Sequence, residues 1–138
     1  MPLTLTRRFT FSAAHRYRRP EWDDARNAAV FGKCARPQYH GHTYVCDVSV
    51  GGPVSAETGF CADLGVLDAA IAVLREQLDH ANLNTDIPEF ADGRLIPTTE
   101  ELARWIAERV QARLTDGTLV ERVVVAEEPT LWATWSRT

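Results

Sequence analysis

Two stretches of this chain can each bury only one side, and that need for something to cover narrows the fold more than any other feature. Between Leu64 and Leu78 the apolar residues Leu64, Leu67, Ile71, Leu74 and Leu78 recur at alternating steps of three and four. That spacing puts them on one face of a helix, and Asp63 stands where its cap belongs. A second helix is predicted from Thr98, where Thr98 and Glu101 have the spacing of a capping box just after Pro97. Its stripe runs through Leu102, Trp105, Ile106, Val110 and Leu114. Helices with one apolar face need a sheet to pack on.

The rest of the chain supplies one. Leu3 to Ser12 alternates apolar and polar residues, with Leu3, Leu5, Phe9 and Phe11 on one parity, as in a half-buried strand. A second alternating run from His40 through Val50, closed by Gly51-Gly52-Pro53, reads as its antiparallel partner. Val120 to Glu127 and Leu131 to Trp135 read as two more strands around the turn Glu128-Pro129-Thr130. The order ββααββ predicts an α+β domain with a four-stranded antiparallel sheet and two helices on one face. Arg16 to Tyr39, punctuated by Pro20, Gly32 and Pro37, shows no clear period, and irregular connectors of that length tend to carry function.

At 138 residues and 45% apolar content, residues 1–138 fit one domain with one core. No long uncharged apolar run is present, so neither a signal peptide nor a membrane span is expected, and the expected compartment is cytoplasmic. Cys34, Cys46 and Cys61 make an odd, irregular set that suits free thiols, with Cys46 and Cys61 read as small core residues. The balance of 15 basic and 19 acidic residues leaves no electrostatic footprint for nucleic acid. Locally, Arg16, Arg18, Arg19, Lys33 and Arg36 crowd one segment, which suits either a solvated loop or contact with an anionic ligand.

In a strand, residues i and i+2 face the same way, so His40-Gly41-His42 presents two imidazoles to one side while Gly41 leaves the other open. His15 ends the neighbouring strand. If the two strands pair, three neutral imidazoles converge and leave a fourth position open, the pattern of a catalytic rather than a structural metal site. Asp79-His80 by itself reads as a polar helix end. Glu127, in a run of valines, is either a solvated strand end or a carboxylate in need of donors. The tryptophans Trp22, Trp105, Trp132 and Trp135 are expected in the core or at subunit contacts.

Six segments in order carry a resemblance across nearly the whole chain. They are Phe11-Ser12-Ala13-Ala14-His15-Arg16, Phe31-Gly32-Lys33-Cys34, His40-Gly41-His42-Thr43-Tyr44, Leu78-Asp79-His80-Ala81-Asn82-Leu83-Asn84, Pro97-Thr98-Thr99-Glu100 and Val125-Ala126-Glu127. Together they resemble the 6-pyruvoyl-tetrahydropterin synthases and the related 6-carboxy-tetrahydropterin synthases of queuosine biosynthesis. The resemblance implies Zn2+ on His15, His40 and His42, and a catalytic group of Cys34, Asp79 and His80. It further implies a pterin held by Glu127, with Thr98 and Thr99 as lesser contacts, and 7,8-dihydroneopterin triphosphate as substrate. Cys34 would take a carbon-bound proton as a thiolate, its pKa lowered by the metal, Lys33 and Arg36. Asp79 would orient His80 for proton transfer.

The implied architecture is the tunnelling fold, in which the sheets of several subunits join into a barrel, commonly a hexamer of two trimers with sites between subunits. The apolar content of Phe60 to Gly65 and the bulk of Trp132 and Trp135 depart from the family's usual segments. The five residues from Ala35 to Tyr39 between Cys34 and His40 favour the pyruvoyl product. The alternative is a 6-carboxy product with loss of acetaldehyde. A different pterin or purine enzyme of the same fold, such as an aldolase, would share Glu127 without requiring Cys34. A non-enzymatic module stabilised by zinc would unfold when stripped of metal.

Overall fold

The computed structural model describes residues 3–138. In chain order the elements are β1 (Thr4–His15), α1 (Asp24–Phe31), β2 (His40–Gly51), α2 (Leu64–Leu78), β3 (Ala81–Asn82), α3 (Leu83–Asp86), α4 (Pro88–Ala91), α5 (Thr99–Arg113), β4 (Leu119–Glu128) and β5 (Leu131–Ser136). β1 and β2 pair antiparallel along their whole length, from Thr4 opposite Gly51 to His15 opposite His40. β4 pairs with β2 and β5 with β4, both antiparallel. The two long helices have the caps read from the sequence. Asp63 accepts from the amides of Gly65 and Val66, and Thr98 from that of Glu101.

Phe9, Phe11, Tyr44, Cys46, Val48, Val50, Val123 and Val125 of the sheet share a core with Leu67, Ile71, Leu74 and Leu78 of α2 and with Leu102, Ile106 and Val110 of α5. Each set lies on the parity or stripe that alternation demands. On the opposite parity Thr10, Thr43 and Trp132 are exposed, Val45, Asp47 and Val124 half-buried and Ser49 buried. No helix among the described residues is long and apolar enough to cross a membrane.

Three features differ from the sequence reading. The sheet among the described residues has five strands in the order β3-β1-β2-β4-β5, and β3 runs parallel to β1, so it is mixed rather than purely antiparallel. A two-residue strand has no alternation to read. It is docked instead by the adjoining residues, where the Ser12 amide donates to Asp79 Oδ1 at 2.9 Å and the His80 amide to the Ser12 carbonyl at 2.6 Å. Cys61 is half-buried outside the core, whereas Cys46 is fully buried. Of the tryptophans, Trp105 is buried, Trp22 and Trp135 are half-buried, and Trp132 is 57% exposed.

The third difference lies in the connector from Arg16 to Tyr39, which holds α1 and a 3-10 turn over Gly32–Ala35. The helix escaped notice because its pattern is inverted: Val30 is exposed and Asn27 is buried. Asn27 Oδ1 accepts from the Arg19 amide at 2.8 Å, while Nδ2 donates to the carbonyls of Arg19 at 3.1 Å and Asp23 at 3.0 Å. One polar side chain thus replaces an apolar stripe as the tether of this segment. Asn27→Ala should leave these backbone groups without their partner, costing about 1–3 kcal/mol. Thermal melting should show that loss, and limited proteolysis should find new cleavage within residues 16–39 while the sheet stays protected.

Candidate metal centre

The register of β1 on β2 sets the site. His15 lies directly opposite His40, and His42 is two residues further along β2 on the same face. The ring centroids are 4.6 Å apart for His15 and His40, and 5.1 Å apart for each of the other two pairs. One ring nitrogen from each meets within 4.8 Å of the others. Gly41 between them sits in a tight place, since a Cβ there would stand 3.2 Å from the Ala13 carbonyl oxygen and the neighbouring backbone would have to give by a few tenths of an ångström.

His15 is fully buried, and its Nδ1 lies 2.8 Å from the Pro97 carbonyl oxygen and 3.1 Å from the Tyr44 hydroxyl. A carbonyl can only accept, so the ring proton sits on Nδ1 and the Nε2 lone pair is left over. Nε2 of His15 and of His42 are both buried without a hydrogen-bond partner among the described residues. Burial drives the His15 pKa down to about 4, with His40 and His42 adding to the shift against the opposing Pro97 bond. Burial also lowers His40, helped by His42 and opposed by Glu127. Neutral imidazoles with unsatisfied inward nitrogens are the form that ligates a metal ion, so this donor set fits one.

Glu127 reaches this cluster from β4. The pairing of β4 with β5 slips between Ala126 and Glu128, leaving Glu127 as the extra residue of a bulge, a device that re-aims a side chain. Its Oε2 accepts from Thr99 Oγ1 at 2.8 Å and lies 3.8 Å from His42 Nε2, while Oε1 makes no hydrogen bond among the described residues. Thr98 instead uses its hydroxyl to cap α5.

Cys34 sits in the 3-10 turn, and its carbonyl accepts from the Tyr17 amide at 2.7 Å. Burial, then the Glu127 charge, pushes its thiol above the ordinary value. Lys33 and Arg36 do not lower it as expected from sequence, because both are exposed and screened by water.

Sequence reading missed Tyr17, whose ring packs edge-on against His15 at 5.0 Å and whose phenol is raised by burial, then by Glu127 and Cys34. Its position two residues after His15, on the same parity, was the available signal. Tyr44, two residues after His42, was equally readable as the group beneath His15.

Asp79 and His80 stand elsewhere. The Ser12 amide holds the Asp79 carboxylate below its usual range, and His80 Nδ1 lies 3.2 Å from Asp79 Oδ2. His80 has a positive φ of 61° and an 85% exposed side chain. It borders a groove with Ser12, Gly41, His42 and Thr43, whereas Cys34 opens onto a depression shared with His40. Within one chain, His80 and Cys34 therefore line different depressions, one bordered by His42 and the other by His40.

A family model described as 6-pyruvoyl tetrahydropterin synthase matches residues 4–138. The chain is 40% identical over 126 residues to a 6-pyruvoyl tetrahydrobiopterin synthase of Drosophila melanogaster, covering 91% of this chain and 74% of the relative. The solved structure of Caenorhabditis elegans 6-pyruvoyl tetrahydropterin synthase superposes with a TM-score of 0.92 at 30% identity, covering 100% of this chain and 97% of that one. A dihydroneopterin monophosphate aldolase of Pyrococcus furiosus is 30% identical over 120 residues, covering 87% of this chain and 85% of the relative.

The His15 shift carries a sign that stability measurements can read. Its pKa is lower in the folded chain than its ordinary value of 6.5, so the unfolded chain takes up the proton first as pH falls. Metal-stripped protein should be fully stable on this account above pH 6.5 and lose up to about 3 kcal/mol as pH falls through the window down to about 4. Urea unfolding across that range checks it, and a flat profile would contradict it.

Proposed function

This chain belongs to the 6-pyruvoyl tetrahydropterin synthase family, and we propose that it is a zinc lyase acting on 7,8-dihydroneopterin triphosphate, with His15, His40 and His42 as the metal ligands. The observation that carries the proposal is the meeting of three metal-ready imidazoles with the Glu127 carboxylate and the Cys34 thiol. When bound, zinc would supply Lewis acidity to the substrate's side-chain hydroxyls and so acidify the neighbouring carbon-bound hydrogen.

The remaining work falls to side chains. Glu127, with Oε2 fixed by Thr99, offers Oε1 and Oε2 to the 2-amino group and ring N–H of the pterin. Cys34, which lines the depression that His40 borders, removes the carbon-bound proton as a thiolate. Asp79, fixed by the Ser12 amide and by Arg75 at 3.3 Å, holds His80 by Nδ1 and leaves Nε2 free to pass a proton. Loss of the triphosphate then completes an elimination that retains the side chain as a pyruvoyl group.

Because His80 lines a groove that Cys34 of its own chain does not border, we assign it, with Asp79 bound to its Nδ1, to the site of a neighbouring subunit. The exposed residues on the sheet face away from the helices, and the outer strand β5, support an assembly in which sheets join into a barrel. A hexamer of two trimers, each chain forming one catalytic domain, fits that geometry. Free thiols suit a cytoplasmic setting.

Zinc-loaded protein incubated with 7,8-dihydroneopterin triphosphate should release inorganic triphosphate and form 6-pyruvoyl-tetrahydropterin, read by mass spectrometry. Release of an aldehyde in step with substrate loss would replace this reading by carbon–carbon cleavage, of the 6-carboxy type or the aldolase type. No turnover, together with unfolding on chelation, would leave a zinc-stabilised binding module. Cys34→Ala should keep zinc and pterin binding while turnover falls by about two orders of magnitude or more. An unchanged kcat would remove Cys34 from the proton transfer.

A further inference from the structure

The crowd of cations around the connector is not uniform. Arg18 pairs with Asp24 at 2.8 Å and Arg19 with Glu21 at 3.5 Å, so acidic neighbours in the same segment neutralise both. Arg16 donates to the Ala35 carbonyl at 2.9 Å and stands over the Tyr39 ring at 5.7 Å, which braces the turn. Lys33 and Arg36 are different. Both are exposed, and neither has a carboxylate within ion-pairing distance among the described residues. With Cys34, Gln38, Tyr39 and His40 they line a depression of about 370 Å³.

The position of that depression follows an order along the site. Glu127 lies beside His42, 3.8 Å away, and His40 is the next ligand along β2 toward the connector. Lys33 and Arg36 lie beyond it, in the depression that His40 borders. A ligand anchored by its ring at Glu127, with its side chain running over the histidines, would deliver its far end to these two cations. In the substrate proposed above, that far end is a triphosphate. The chain as a whole is net negative, −4, so this is a local positive site and not a general property of the surface.

We propose that Lys33 and Arg36 form the subsite for the triphosphate of the substrate, a reading that rests on the pterin function proposed above. Arg36 offers a planar fork of donors to phosphate oxygens and Lys33 a point charge, so together they hold the group that leaves in the elimination. The exposure of both side chains keeps the released polyanion in contact with solvent and lets it depart.

The test uses the zinc-loaded protein in the Cys34→Ala background, where turnover is expected to be slow enough for equilibrium titration. Calorimetric titrations compare dihydroneopterin, its triphosphate and inorganic triphosphate, with zinc content measured after each. Lys33→Gln together with Arg36→Gln should weaken binding of both triphosphates about tenfold or more and flatten their salt dependence, while affinity for dihydroneopterin holds. The single variants should each show part of that loss, which keeps the test readable should the double variant fold poorly. Arg18→Gln, which removes a paired cation of the same segment, should change none of the three. Unaltered triphosphate affinity in the Lys33 and Arg36 variants would overturn the subsite, as would an equal loss in Arg18→Gln. If the parent bound inorganic triphosphate but not dihydroneopterin, the pterin reading would fall while the two variants still decided the anion site.

Discussion

The unbroken antiparallel pairing of β1 with β2 is the constraint on which the rest of the site depends. Its register, from Thr4 opposite Gly51 to His15 opposite His40, puts alternate residues of both strands toward the helices and ends that series in imidazoles. A slip of β2 by one residue would turn Tyr44 and Cys46 outward together with His40 and His42, away from Phe9, Phe11 and His15 of β1. The core and the metal centre therefore share one guarantee: what keeps the apolar residues inside also keeps the ligands together.

Burial then sets the chemistry of what the register assembles. The helices that cover this face remove His15 from water, and with Pro97 at its Nδ1 the ring is left neutral with an inward nitrogen lacking a partner. The same exclusion of water raises the Cys34 thiol, and Glu127 reinforces that shift. These are unfavourable environments for the chain alone, since buried polar atoms without partners cost free energy. They become favourable once a cation satisfies the nitrogens. Glu127 joins the group only through an irregularity, the bulge in β4 that leaves it unpaired on the β5 side.

The connector solves a different problem, that of holding the turn that carries Cys34 on a segment without an apolar stripe, where Trp22 stacks on Phe31 and Phe31 meets Tyr17 edge-on. Asn27 closes it from within by bonding Arg19 and Asp23, and Asn84 holds its start by accepting from the Arg16 amide and donating to the Arg16 carbonyl. Polar tethers of this kind fix backbone by satisfying its hydrogen-bonding groups.

The long strands and helices were legible in the sequence because burial on one side imposes a period of 2 or 3.6, and Leu64–Leu78 was readable to its last residue. His40-Gly41-His42 and His15 could be placed on one face for the same reason. What periodicity could not convey is anything held by a single partner distant in sequence. α1 rests on a buried Asn27 where a pattern expects an apolar residue. β3 is too short to alternate. The Cys34 thiol is raised first by burial and then by Glu127, which lies far along the chain. By itself, the sequence determined which residues face inward and which of them can bind a metal, since those are local properties of spacing and residue type. Only the tertiary structure decided which of the inward groups meet, how burial sets their protonation, and that His80 and Cys34 line different depressions, because those depend on the register and packing that join distant segments.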